Sequence, residues 1–387
     1  MRVTISVGGK FHAFRLAKEL EDNGHLERIF TSYPWFSLKD SGVSRKKVTC
    51  LIAKEMVEKA SYKIPRITSG SKISYLASSI FDWQVSRRIQ PCDIFVGWSS
   101  FALYTLRQAR SLFPLKVILE RGSCHIETQR DILNAECQRL GLMTSRPCQQ
   151  MVEKELLEYQ EADYVSVPSV LAKDTFLSRG LSAEKIIQVP LGVDTQSFRP
   201  IPKQDSRFRV IFVGPSIVKG LHYFLQAIDE LNIKGLEVWL VGGIAKDVIP
   251  FFKKYSAHFK HLGVIPNKDL YRYYSQASLF VNFALEDGFA MALLEAMACG
   301  VPVICTENTG AKDIVRDGID GFILPIRNTE ALKEKISYFY QYPQKAREMG
   351  RQARLRVESS FTWKDYGERI IQAYRSIAGI EEEAKIL

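Results

Sequence analysis

Short apolar runs alternate with longer mixed stretches along most of the chain, and that alternation predicts strands followed by helices. Val3–Val7 reads as a buried strand, Gly8-Gly9 as a tight turn, and Phe11–Asn23 as an amphipathic helix ended by Gly24. Leu26–Phe30 is the next expected strand. Residues 31–92 show no clear period. The rhythm resumes with a strand at Asp93–Gly97, a helix over Phe101–Leu112 and a strand at Leu115–Leu119. Gln129–Arg139 and Gln149–Glu161 read as helices, Tyr164–Val167 as a strand and Val170–Arg179 as a helix. Val189–Pro200 and the polar, proline-marked Pro200–Arg207 break the pattern and predict a domain boundary near residue 200. Beyond it, strands are expected at Arg209–Val213, Glu237–Val241, His261–Val264, Leu279–Asn282, Val303–Cys305 and Gly321–Leu324. Helices are expected at Leu221–Leu231, Leu270–Ser275, Lys312–Arg316, Thr329–Tyr340, Gln344–Glu358 and Thr362–Ser376, with a charged tail over 381–387 that frays. The fold class is α/β: two doubly wound parallel-sheet, Rossmann-like domains facing across a cleft, with ligand at the carboxyl edges of the strands.

One stretch departs from the alternation. Phe283–Val303 holds the acidic pair Glu286 and Asp287, then Gly288, then small and apolar residues with Glu295 as the single charge. Ala290–Cys299 is too long for a buried strand and rich in helix formers, so it predicts a buried helix stopped at Gly300. A carboxylate on such a helix needs a partner, and ligand hydroxyls are one. The helix start offers unpaired N–H groups to an anion.

Composition narrows the class. Of the 387 residues, 46% are hydrophobic and 25% charged, as in ordinary soluble globular proteins. Seven cysteines show no C-x-x-C spacing, which predicts reduced thiols in a cytoplasmic chain. The N-terminus reads as a strand entering a glycine turn rather than a signal peptide. The longest uncharged apolar run, Ile94–Leu106, is too short to span a bilayer. The net charge of +10 is uneven: residues 39–88 hold eleven Lys/Arg against four Asp/Glu. That segment is expected either to lie on an anionic membrane surface, peripheral on its inner face, or to be a solvated face. No aromatic-basic platform accompanies it, so nucleic acid is not an expected partner.

Candidate chemistry gathers at strand ends. Gly8 and Gly9 follow a strand and suit close approach of a phosphate or a plain tight turn. They do not form G-x-G-x-x-G, which argues against a dinucleotide-dependent dehydrogenase. His125 stands just past a strand that ends in Glu120-Arg121-Gly122. Lys219-Gly220 precedes a helix after a strand and turn. A lysine, free amides and a carboxylate together suit phosphate charge and sugar hydroxyls.

These motifs resemble the retaining glycosyltransferases of family 4, which have the GT-B fold. Val281–Val303 is close to the family's E-G-F-G-x-x-x-x-E-A-M-A-x-G-x-P-V, Val189–Pro200 to P-x-G-V-D-x-x-x-F-x-P, and Val213–Gly220 to V-G-x…K-G. His261–Ala277, Pro302–Pro325 and Phe361–Tyr374 also fit. The resemblance spans the C-terminal half; the glycine turn and His125 carry it more loosely into the first half. It implies a nucleotide sugar as donor, UDP- or GDP-linked, with no cofactor and no metal, since no D-x-D pair is present where one would be needed. Residues 1–200 become an acceptor-side domain, 201–360 the nucleotide-sugar domain, and 361–387 a helix crossing back. Glu295 is implied to hold the ribose, and Asp287, at the family's first acid position, to approach the donor sugar. The amides of Gly288, Phe289 and Ala290 would bind sugar and phosphate oxygens. Lys219 would neutralise the leaving diphosphate, and His125 would hold a donor hydroxyl or reaction-centre carbonyl rather than act as a base. Asp287 is also suited to cap the helix. Where the family has an Arg after the strand-turn Gly, Gly214 is followed by Pro215-Ser216, which shifts the diphosphate onto Lys219, helix N-termini and Gly8, Gly9 or Lys10. The implied acceptor is a saccharide or a lipid-linked oligosaccharide. A nucleotide-sugar epimerase of the same fold and a non-catalytic nucleotide-sugar-binding protein are the alternatives.

Overall fold

The computed structural model describes residues 1–62, 70–142 and 147–380. The expected fraying tail, 381–387, and residues 63–69 of the basic segment lie outside the described residues. The chain divides into two compact units. One comprises residues 1–167, 176–189 and those from Gly367 on; the other comprises 168–175 and 190–366.

The first unit contains β1 (Val3–Val7), α1 (Ala13–Asp22), β2 (Leu26–Thr31), β3 (Val48–Cys50), α2 (Ala53–Tyr62) and α3 (Gly70–Ser86). There follow β4 (Ile94–Trp98), α4 (Leu103–Leu112), β5 (Lys116–Glu120), α5 (Ile126–Arg139), α6 (Gln149–Glu161) and β6 (Tyr164–Val167). Helix α7 (Val170–Ser178) belongs partly to each unit, and β7 (Ile186–Gln188) completes the sheet. The sheet order is β3-β2-β1-β4-β5-β6-β7, every pair parallel. Strands β1 and β4 are buried at all five positions. That is what a parallel sheet covered on both faces requires, and why their sequences run apolar instead of alternating.

The second unit contains β8 (Arg209–Val213), α8 (Leu221–Glu230), β9 (Glu237–Val241), α9 (Ile249–Lys254), β10 (Lys260–His261) and α10 (Leu270–Tyr274). Then come β11 (Leu279–Asn282), α11 (Met291–Ala298), β12 (Val303–Thr306), α12 (Ala311–Ile314), β13 (Gly321–Leu324), α13 (Thr329–Gln341) and α14 (Pro343–Ser360). Helix α15 (Trp363–Ile377) starts in this unit and ends in the first. The order β10-β9-β8-β11-β12-β13 is again wholly parallel. Each unit is therefore the doubly wound sheet expected from the alternation.

The differences have local causes. Helix α1 starts at Ala13, not Phe11, because Phe11 takes φ +39° and cannot join a right-handed helix. The strand expected at His261–Val264 is only Lys260–His261, cut short by Gly263 at φ +71°. Strand β7 and helix α9 were not foreseen, being too short to show a period. The aperiodic 31–92 stretch contains β3, α2 and α3. Helix α3 buries Ala77, Phe81 and Val85 but also exposes Leu76 and Trp83, so its two faces blur the pattern. Helix α11 matches expectation: Leu293 to Ala298 are buried, and Gly300 ends it at φ +72°. There Gly300 N–H donates to the Met297 carbonyl (2.9 Å) and Val301 N–H to that of Ala296 (3.1 Å), the paired bonds of a Schellman stop. None of the seven cysteines, at positions 50, 92, 124, 137, 148, 299 and 305, is joined in a disulfide. Among the described residues no helix is long and apolar enough to cross a membrane.

Candidate active site

In the second sheet the chain runs outward from β8 through β9 to β10, then begins again at β11 and runs the other way. Between β8 and β11 the connections leave in opposite directions, and in open parallel sheets that switch point, at the carboxyl edge, is where a ligand crevice forms. Both loops at this switch carry predicted site residues.

The two loops are bound to each other. Leu285 N–H donates to the Val218 carbonyl at 2.8 Å. Gly220 caps α8 at φ +71°, and a Cβ there would lie 1.9 Å from the Phe283 carbonyl oxygen, so only glycine fits. This contact sets Lys219 against the β11–α11 loop, where its ammonium pairs with Asp287 Oδ2. Asn282, the last residue of β11, donates to the same oxygen at 3.1 Å, and Asp287 Oδ1 accepts from Ala290 N–H at 3.0 Å. Burial works against the charge of Asp287, but Lys219 and these hydrogen bonds outweigh it and hold the carboxyl below its usual range.

The loop is braced from a third side. Thr306 Oγ1 donates to the Ala284 carbonyl (2.5 Å), Asn308 Nδ2 to that of Leu285 (3.2 Å) and Gly310 N–H to that of Asp287 (2.9 Å). Ser169 Oγ donates to the Gly288 carbonyl at 2.6 Å. Among the described residues no hydrogen bond takes up the N–H groups of Gly288 and Phe289. The expectation for Ala290 needs correction, since its amide is already held by Asp287. Asp287 is also not the helix cap. Ala290 occupies that position at φ +61° and ψ +58°, because the chain makes one further turn before α11 begins. A left-handed alanine costs about 1 kcal/mol, which the bracing hydrogen bonds offset.

Glu295 lies in the second turn of α11 and is 9% exposed. Its partners within the fold are Asn267, donating at 2.8 Å, and the Tyr274 hydroxyl, donating at 3.0 Å. Burial pushes its pKa up to about 7, and these two bonds offset that only in part. At neutral pH the group stands between an acceptor-only carboxylate and a carboxylic acid.

The remaining predicted residues belong to the first unit. Gly8 lies at the analogous switch between β1 and β4, and a Cβ there would collide with the Phe101 ring at 2.1 Å. The Gly9 carbonyl accepts from Thr31 Oγ1 at 2.8 Å. His125 is the N-cap of α5; its Nδ1 accepts from Glu127 N–H at 3.3 Å, which places the ring proton on Nε2. It is 5% exposed and packs on the Tyr159 and Phe176 rings, both 5.0 Å away. Burial, with Arg179 and Arg121 nearby, drives its pKa down to about 4, so the ring is neutral.

Residues 193–356 match the family model described as Glycosyl transferases group 1. That span lies within the second unit. The chain is 26% identical over 241 residues to the GDP-mannose-dependent alpha-(1-6)-phosphatidylinositol monomannoside mannosyltransferase of Mycolicibacterium smegmatis, covering 55% of this chain and 62% of that one. It is 24% identical to the MMP alpha-(1->4)-mannosyltransferase of Mycolicibacterium hassiacum, covering 93% and 92%. Against several other curated relatives the match spans about half of their length. Among solved structures, sucrose-phosphate synthase from Thermosynechococcus elongatus superposes with a TM-score of 0.73 at 19% identity, covering 98% of this chain and all of that one. Anabaena HepE in complex with UDP-glucose gives 0.69 at 16%, covering 97% and 100%. The structural likenesses show the GT-B fold; the family match and the named relatives support a glycosyltransferase.

Some participants were not foreseen. Asn282 stood in plain view as a polar residue closing an apolar strand. Asn267 and Tyr274 left no such signal, because they meet Glu295 only through tertiary packing. In the first unit, His12 Nε2 lies 3.3 Å from the buried Glu120 carboxylate at the end of β5, a pairing across 108 residues that sequence could not reveal.

Proposed function

We propose that the chain is a retaining, metal-independent glycosyltransferase that moves a hexose from a UDP- or GDP-sugar to a hydroxyl of a saccharide or lipid-linked oligosaccharide. The observation that carries this reading is the braced loop at the β8/β11 switch. It presents a lysine, a carboxylate and two unused amides side by side.

The chemistry asks for those parts. When the bond between the anomeric carbon and the diphosphate oxygen breaks, its electron pair goes to the diphosphate and positive charge builds on the sugar. Lys219 and the Gly288 and Phe289 amides meet the negative charge; the donor sugar approaches Asp287, which Lys219, Asn282 and the Ala290 amide hold in place; Glu295 takes ribose hydroxyls. The acceptor oxygen bonds to the anomeric carbon on the face the diphosphate leaves, its hydroxyl proton passing to the departing diphosphate oxygen, and the configuration is preserved. A loop fixed on three sides needs little rearrangement at that moment, and such positioning is a large share of catalysis. The donor class draws support from one relative that is GDP-mannose-dependent and one similar structure in complex with UDP-glucose.

Donor turnover by Lys219→Ala and Glu295→Ala tests the assignment. Each is expected to fall by about two orders of magnitude or more, for Lys219 by lost stabilisation of the leaving diphosphate and for Glu295 by lost placement of the donor. Wild-type rates of donor hydrolysis in both variants would contradict it.

A further inference from the structure

Within the basic 39–88 segment, α3 has an unusual outer face. Lys72, Leu76, Ile80 and Trp83, with Arg87 one residue past the helix end, fall at spacings of three and four residues and continue one stripe. Trp83 is 53% exposed and Leu76 54%. The opposite face, Ala77, Phe81 and Val85, is fully buried. The stripe therefore exposes an indole and a leucine that the core does not need, with a cation at each end. The Arg87 guanidinium lies 5.8 Å from the Trp83 ring centroid. Over residues 70–88 the single carboxylate is Asp82, which is buried and paired with Lys154 at 3.0 Å. No acid on α3 thus offsets the cations on its outer face.

Surface helices of globular proteins ordinarily carry mixed charge and few large apolar groups outward. Apolar side chains with Trp among them, bordered by Lys and Arg and free of acids, match the boundary between headgroups and acyl chains of an anionic bilayer. The indole and leucine enter the boundary while the cations meet lipid phosphates. Nucleic acid would use the cations but leave Leu76 and Ile80 without a role.

We propose that α3 docks the protein in its plane on an anionic lipid surface, with Trp83 and Leu76 inserted and Lys72 and Arg87 on the headgroups. Residues of the candidate active site take no part in this docking, so it stands or falls apart from the transferase reading.

The experiment is vesicle co-sedimentation of the full chain with phosphatidylcholine alone and with phosphatidylcholine containing phosphatidylglycerol. Wild type is expected to bind the anionic vesicles at least tenfold more tightly than the neutral ones, and less tightly as salt rises. The double variant Trp83→Ala, Leu76→Ala and the double variant Lys72→Gln, Arg87→Gln should each weaken that binding about tenfold. Both should keep the wild-type melting temperature and nucleotide-diphosphate binding, because every substituted side chain is on the outer stripe. Equal binding to both vesicle types, or wild-type vesicle binding by both variants, would overturn the proposal. So would an absence of vesicle binding together with tight binding of an oligonucleotide that the charge variant abolishes.

Discussion

Glu295 shows how one buried side chain ties stability to pH. In the unfolded chain it ionises near 4.5; in the fold, burial delays this to about 7. Between those values the native state holds a proton that the unfolded state has lost. Its contribution to stability is therefore full below about pH 4.5 and is lost as pH rises through about 7, a change on the order of 3 kcal/mol. Urea unfolding of wild type and Glu295→Gln across that range should give curves that diverge as pH rises, and parallel curves would count against the assignment. The sign reverses for ligand. Ribose hydroxyls donate best to the ionised carboxylate, so nucleotide affinity should strengthen as pH rises through about 7. Ala290 carries a second residue-scale prediction. Its left-handed backbone costs an alanine about 1 kcal/mol that glycine does not pay, so Ala290→Gly should raise the denaturant midpoint by a corresponding amount.

At the scale of elements, the loops at the carboxyl edges are held by side chains reaching across from neighbouring helices. In the first unit, Glu158 of α6 accepts from the N–H groups of Ser100 (2.6 Å), Ala102 (2.9 Å) and Leu103 (3.1 Å) where β4 turns into α4. It is fully buried. Glu158→Ala would leave those amides without their acceptor and should cost about 3 kcal/mol or more of stability by chemical denaturation, whereas Glu158→Gln keeps one acceptor oxygen and should cost less. None of this could be read from the sequence, where Glu158 is one acid among several on an expected helix. Elements with strong local signals were legible: the pentads of β1, β8 and β9, the helix stop at Gly300 and the buried run of α11. Elements fixed by tertiary packing were not. Strand β7 is three residues long, and α3 carries apolar residues on both faces.

For the whole molecule, two doubly wound sheets followed from alternation alone, because parallel strands must be covered on both faces and their sequences record it. The site was half legible. Lys219, Asp287 and Glu295 stood out by spacing and by a resemblance in Val281–Val303, and the structure joins the first two directly. The brace that holds them, from Gly220 against Phe283 to Asn308 and Gly310, depends on which strands are neighbours, and sheet order is not written in any local pattern. The same limit applies to Ala290, whose amide was expected to face a ligand and instead binds Asp287.

The account rests on the switch between β8 and β11 gripping a nucleoside diphosphate. Isothermal titration of UDP and of GDP into wild type and Lys219→Ala measures that grip directly. One of the two diphosphates should bind wild type at a single site, with affinity at least tenfold weaker in the variant. Binding of neither, or equal affinity in both proteins, would contradict it.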